Sequence, residues 1–194
     1  MELVPLGIEG SWLAHSPLMS DKRGYFREWF KVSDVQMSTG RRFTFEQANI
    51  SHSSRGTVRG IHYSMALGGQ AKWVTCVTGS IRDVIVDIRP NSKTFGQWIG
   101  LELTAESGNA VLIGADLGHA FVSLEEKTTV AYLVSSPYSP KDEFEINPLD
   151  SEIGIDWGMD TSELIISDKD KFAPTLFERK YEGKLPQQSN MRTI

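Results

Sequence analysis

From residue 43 to residue 135, apolar and polar residues alternate in short runs separated by glycines and charged or Ser/Asn turns. Alternation at a period of two predicts strands that bury one face. Residues 43–51 are a clear run. Phe43, Phe45, Gln47 and Asn49 share one face, and Thr44, Glu46, Ala48 and Ile50 share the other. Two amides beyond two aromatics on one face suggest an apolar cavity with a polar rim, or amides satisfied by neighbouring backbone.

Residues 56–87 read as a meander of strands. The first strand carries Arg59 and His62, and a Gly-rich loop at 67–70 follows. The second begins at Lys72, turns at Thr78-Gly79, and leads to a third holding Asp83 and Asp87. Residues 96–104, 110–113, 118–124 and 128–135 are further strands. His119, Phe121 and Ser123 share one face, as do Val130, Tyr132 and Val134. Upstream, 1–14 reads as an arm or edge strand, 21–24 as a turn, 25–30 as a strand and 32–39 as one short helix. Downstream, 147–157 is loop-like and 164–170 is a short apolar run ending in charges. Residues 172–194 are polar, with room for a short helix and an end expected to fray. Many short strands, without the long helical crossovers of a parallel sheet, predict an all-β sandwich or barrel.

Length and composition narrow this picture. With 194 residues, one domain over 1–194 is expected, its barrel core at about 20–140 and segment 141–194 packed on it. A net charge of -5 gives no broad basic field, which argues against nucleic-acid binding. No stretch approaches the roughly 20 apolar residues of a membrane span, and no signal peptide is visible. Cys76 is the only cysteine, so no internal disulfide forms. That fits a reducing, cytoplasmic setting, with Cys76 packed as a small apolar residue.

The candidate chemistry is proton transfer beside a carbonyl. The four histidines are 15, 52, 62 and 119. His62 is followed by Tyr63 and Ser64, so the His-x-His pair of a metal-holding barrel is missing. His62, His119 and one carboxylate are the remaining metal set, and no metal is expected. A Gly-x-Ser-x-Gly elbow and a P-loop are both absent. What remains is His62, His119, Lys72, Arg59, Tyr132 and acids such as Asp83 and Asp170. A histidine can take a carbon-bound proton, with a carboxylate holding its tautomer. Lysine stabilises the developing enolate oxygen, and tyrosine returns a proton to the opposite face. Arginine supplies phosphate contacts. Taken singly, His62 and Tyr132 also fit a packed core.

The segments RGYFREWF, QANIS, VRGIHY, QAKWV, DVIVDIR with SKTFGQW, GHAF and ISDKD, in this order and spacing, resemble the dTDP-4-dehydrorhamnose 3,5-epimerase family. The likeness covers roughly residues 7–174. It implies a cupin-type jelly-roll barrel with short peripheral helices near the C-terminus, no cofactor and a homodimer with N-terminal strands crossing between subunits. It implies His62 as general base, Asp170 as its carboxylate partner, Tyr132 as general acid, and Lys72 and His119 around the sugar and its 4-keto oxygen. Arg59 then meets the sugar and diphosphate. Arg23, Phe26, Glu28, Gln47 and Asn49 fall in the substrate-binding set, some of them from the partner subunit. Tyr138 matches the aromatic that stacks on thymine, Glu143 and Lys169 outer ligand contacts, and Asp83 a residue orienting an imidazole from behind.

The implied reaction inverts C3 and C5 of dTDP-4-dehydro-6-deoxy-D-glucose to give dTDP-4-dehydro-L-rhamnose. One departure stands out. The family's common Pro-Glu-Gly-Phe-Ala-His-Gly-Phe block is replaced by residues 114–121, GADLGHAF, and the altered loop before His119 is expected to touch the sugar. The loop at 64–69 differs too. Such changes resemble relatives acting at C3 only or C5 only. A metal-dependent cupin enzyme and a non-catalytic sugar-nucleotide-binding cupin are the rival classes.

Overall fold

The structure, a computed structural model, describes residues 1–186. The expected fraying of the chain's end concerns residues outside these. The strands are β1 (Glu2–Pro5), β2 (Ser11–His15), β3 (Met19–Asp21), β4 (Gly24–Phe26), β5 (Gln47–Ser53), β6 (Val58–Ser64), β7 (Lys72–Thr78), β8 (Ser80–Val86), β9 (Trp98–Thr104), β10 (Ala110–Ile113), β11 (Gly118–Ser123), β12 (Thr128–Val134) and β13 (Glu143–Glu145). Helices α1 (Val32–Thr39), α2 (Asp168–Lys171) and α3 (Leu176–Tyr181) are short. None among the described residues is long and apolar enough to cross a membrane.

Two antiparallel sheets face each other, in the orders β1-β2-β10-β7-β12-β5 and β13-β6-β11-β8-β9, and β3 and β4 form a separate hairpin. This is the cupin-type jelly roll. The N-terminal stretch resolves as an edge, since β1 caps the larger sheet and pairs with β2.

The meander expected over 56–87 is not one. Strands β6 and β8 lie in one sheet, where both pair with β11, while β7 lies in the other between β10 and β12. Alternation reveals which face of a strand is buried, not which strand lies beside it. Polar groups of β6 and β7 therefore meet across the sandwich interior rather than along one sheet.

Alternation gives the molecule three apolar layers. Val74, Cys76, Ile81, Ile85, Val111 and Phe121 fill the space between the sheets. Val58, Ile61, Val84, Val86 and Val122 point the other way from the smaller sheet. The C-terminal segment covers them with Ile146, Ile153, Trp157, Leu176 and Leu185. On the outside of the larger sheet, Trp73 and Leu112 pack under Val35 of α1 and under Trp29, Phe30, Phe43 and Phe45. Fully burying a side chain of this size contributes about 1.5–3 kcal/mol. Helix α1 has the bounds expected from sequence and ends on Gly40, whose N–H meets the Gln36 carbonyl at 2.9 Å.

Two strand expectations shorten. Residues 25–30 keep strand structure only to Phe26, because Trp29 and Phe30 turn inward onto Trp73. The run from Phe43 is a strand only from Gln47, with the Glu46 N–H already meeting the Val134 carbonyl at 2.9 Å, and it extends to Ser53. Phe43 and Phe45 belong to the outer apolar layer instead.

Candidate active site

The site starts from an irregularity in β6. Arg59 and His62 are separated by an odd number of positions, so a regular strand would point them to opposite faces. On β11, His119 pairs with His62 and Phe121 pairs with Arg59, so β6 takes three steps while β11 takes two. The bulge lies at Gly60-Ile61 and turns Arg59 and His62 into the same cleft. Gly60 has φ +117°, and its α-carbon lies so close to β11 that an added Cβ would stand 2.5 Å from the His119 carbonyl oxygen. Only glycine fits there.

The cleft has a volume of about 340 Å³ and opens between the sheets. Strand β6 supplies Arg59 and His62, β7 Lys72, β11 His119 and β12 Tyr132. The lip at Tyr138, Glu143, Lys169 and Asp170 comes from the C-terminal half.

Each of the two cross-strand histidines is held by a carboxylate. His62 Nε2 meets Asp170 Oδ1 at 2.7 Å, and His119 Nε2 meets Asp83 Oδ2 at 2.7 Å. Asp83 is fully buried and lies behind His119, diagonal to it on β8, rather than in the cleft. Asp170 sits in α2, where Ser167 caps the helix by accepting the Asp170 N–H at 3.1 Å. Burial pushes the Asp170 carboxyl up. The His62 hydrogen bond, the His62 charge and the Ser167 hydroxyl outweigh it and hold the carboxyl below its ordinary value. Each carboxylate occupies one ring nitrogen and leaves the other for a reactant, and the His62 ring is the more open, with 38% of its side chain exposed against 11% for His119.

Lys72 is buried and donates to the His62 carbonyl at 3.4 Å. Burial pulls its pKa down, and Glu143 and Asp83 oppose that. Burial pushes the Tyr132 hydroxyl up, with Arg59 opposing, so Tyr132 holds its proton at neutral pH. Arg59 is anchored by Ser53 Oγ at 3.1 Å and the His52 carbonyl at 3.2 Å. A protonated tyrosine opposite a carboxylate-held histidine is a donor–acceptor pair for moving protons between two faces of a bound molecule.

The remaining candidates are placed as follows. Gln47 and Asn49 do not line the cleft. Gln47 donates to Asn49 Oδ1 at 2.7 Å and accepts the Tyr138 N–H at 3.0 Å, so this amide pair holds the loop that carries Tyr138. Lys169 is paired with Glu145 at 3.0 Å on the lip. Arg23, Phe26 and Glu28 lie outside the cleft of their own chain, and Phe26 is 64% exposed on the β3–β4 hairpin. Residues 114–117 do not touch the cleft either. Leu117 and Ala115 are core, and the turn lies beneath His119. The expected contact of this loop with a bound sugar is therefore corrected, because strand β11 turns the preceding residues inward.

Ser51, Phe121, Phe144 and Ser167 line the cleft without having been singled out. Period two from Asn49 points to Ser51 and from His119 to Phe121. Ser167 is legible as a helix cap, and no sequence signal marks Phe144. Among the described residues, no group of His, Cys, Asp and Glu converges as a metal site.

A pH prediction follows from Asp170. Its folded pKa is lowered, so its contribution to stability is present above the unfolded carboxyl value of about 3.9 and is lost as pH falls through the lower folded value. Thermal melts of wild type and Asp170→Asn should differ at pH 6 and converge on acidification below about pH 4.

The family model for dTDP-4-dehydrorhamnose 3,5-epimerase matches residues 5–178. A dTDP-4-dehydro-6-deoxyglucose 3-epimerase of a Streptomyces species is 45% identical over 182 residues, 94% of this chain and 92% of its own. A dTDP-4-dehydrorhamnose 3,5-epimerase of Mycolicibacterium smegmatis is 44% identical over 181 residues, 93% of this chain and 89% of its own. The crystal structure of a 4-keto-6-deoxy sugar epimerase from the novobiocin gene cluster of Streptomyces spheroides superposes with a TM-score of 0.94 at 41% identity, covering 98% of this chain and 95% of that one. Fold, cleft and sequence agree, and the chain belongs to the dTDP-4-dehydrorhamnose 3,5-epimerase family.

Proposed function

We propose that the protein epimerises C3 and C5 of dTDP-4-dehydro-6-deoxy-D-glucose, giving dTDP-4-dehydro-L-rhamnose. The observation that carries this reading is the His62–Asp170 pair facing a cleft that also holds Lys72, His119 and Tyr132. A proton on carbon beside the C4 ketone passes to the free ring nitrogen of His62. The C–H electrons move onto the ketone oxygen, where Lys72 and His119 meet the developing negative charge. Tyr132 then delivers its proton to the opposite face of the same carbon. Exchange with water resets imidazolium and phenolate. The second carbon repeats the cycle, and side chains alone carry each step.

Arg59 and Lys169 supply positive charge for the diphosphate, and Tyr138, 60% exposed, supplies a ring for the base to stack on. Arg23, Phe26 and Glu28 complete the cleft of a partner chain in a homodimer. Their exposure on and just after the β3–β4 hairpin supports this, as does the edge strand β5, which presents Ile50 at 75% exposure. A nucleotide-sugar substrate and a lone thiol fit the cytoplasm.

The test is NMR of the substrate with the protein in D2O. Deuterium is expected at both C3 and C5, with dTDP-L-rhamnose formed once a 4-reductase and its hydride donor are added. Label and inversion at C3 alone would establish the second reading, a 3-epimerase, which the 45% identical Streptomyces relative favours. Nucleotide binding without label at either carbon would mark a binding protein.

A further inference from the structure

We infer that Asp116 is a positioning residue: facing Arg89, it fixes the turn that carries His119 into the cleft, and so sets the balance of exchange between the two carbons beside the ketone. The inference rests on the reading proposed above.

The observations lie beneath the cleft. Asp116 is 3% exposed, and neither of its carboxylate oxygens has a hydrogen-bond partner among the described residues. It faces Arg89 Nη1 at 3.8 Å. Arg89, itself 1% exposed, is already committed to Asp87 through two hydrogen bonds of 2.8 and 2.7 Å. Ser92 at 2.6 Å and the Thr94 hydroxyl complete the shell of Asp87. Arg41 also bears on Asp116, and Glu9 on Arg89. Burial pushes the Asp116 carboxyl up, and Arg89 opposes it. A second buried carboxylate that completes no hydrogen bond costs stability rather than adding to it. Its consequence is geometric.

Arg89 leaves the end of β8, just past Val86, and Asp116 enters β11 just before Gly118. These strands pair Gly118 with Val86 and His119 with Ile85, and β8 carries Asp83. The Arg89–Asp116 contact therefore clamps the end of the ladder nearest the His119–Asp83 pair. The same turn also meets the approach to Lys72, because the Ala115 carbonyl accepts the Gln70 N–H at 3.2 Å. One turn thus bears both on the strand that sets His119 against Asp83 and on the segment that leads into Lys72. In the proposed scheme Lys72 and His119 hold the ketone oxygen, and a small tilt of that oxygen changes which neighbouring C–H faces His62. Asp116 also occupies the glycine place of the commoner family block.

The experiment compares wild type with Asp116→Asn and Asp116→Gly in the full chain. The Asn variant keeps the shape and leaves the Arg89–Asp87 pair intact, so folding is retained. The readout is the ratio of deuterium entry at C3 to that at C5, because a loss of active protein scales both carbons alike. The ratio is expected to change by about three- to thirtyfold in both variants. If wild type labels one carbon only, the ratio of label entry to inversion at that carbon takes its place. Imidazole 15N NMR supplies a readout without substrate: the His119 resonance is expected to move while those of His15 and His52 stay. An unchanged ratio overturns the inference whatever happens to kcat. A wild type that labels neither carbon overturns the proposed function, and the positioning claim then falls if His119 does not move.

Discussion

His62→Asn is expected to slow deuterium entry at C3 and C5 by about 10²–10⁴-fold while dTDP binding persists. The asparagine keeps a polar side chain on the 38% exposed position and removes the titrating nitrogen. Asp170 then loses its partner at 2.7 Å but keeps the Ser167 cap, so the lip of the cleft stays in place. Asp170→Asn should cost less, about tenfold to a hundredfold, because the base remains and only its orientation and its charged form lose support. Label entry by NMR and dTDP affinity by calorimetry check both variants. Wild-type label entry in His62→Asn would eliminate the imidazole as base and leave Lys72 or Tyr132 to take the proton.

The strands were legible where burial alternates. Residues 47–53 follow the pattern because β5 is an edge strand with one face more exposed than the other, whereas 110–113 and 118–123, buried on both faces, are marked by short apolar runs. Strand partners are not legible, since periodicity carries no record of which sheet a strand joins: β7 follows β6 in sequence and lies across from it in the fold. Helix α1 was readable because residues 32–39 lack the period of two. Within the site, His119, Phe121 and Ser51 follow from period two. The pairing of His62 with Asp170, 108 residues apart, does not, and only the family resemblance brought them together. The shared aim of Arg59 and His62 contradicts regular strand geometry, and its one local cue is the glycine between them. Arg23, Phe26 and Glu28 do not line the cleft of their own chain, and periodicity within one chain carries no record of contacts such as those proposed with a second chain.

Gly60→Ala should carry the largest penalty of any single-methyl change in this site. An added Cβ would stand 2.5 Å from the His119 carbonyl oxygen and 2.7 Å from both Cα and Cβ of Ala120, at φ +117°. These neighbours are backbone or attached directly to it, so no side chain can swing aside. Either β6 separates from β11 or the bulge straightens. Separation breaks the ladder behind the buried Val58, Ile61 and Ala120. Straightening sends Arg59 or His62 to the opposite face. Strain and overpacking together cost about 2–6 kcal/mol, a large part of the 5–15 kcal/mol that holds a domain of this size. The melting temperature should fall by roughly 5–20 °C. Gly40→Ala is the matched control: φ is +68° and nothing lies within 4 Å of the added Cβ, so it carries the backbone strain of about 1–2 kcal/mol alone. It also lies at the end of α1, away from the cleft. Turnover per folded molecule separates the two effects. Gly40→Ala should keep it, whereas Gly60→Ala should lose it even at temperatures where the chain stays folded. If Gly60→Ala retains wild-type turnover per folded molecule, the bulge does not aim His62, and the common face of Arg59 and His62 needs another cause.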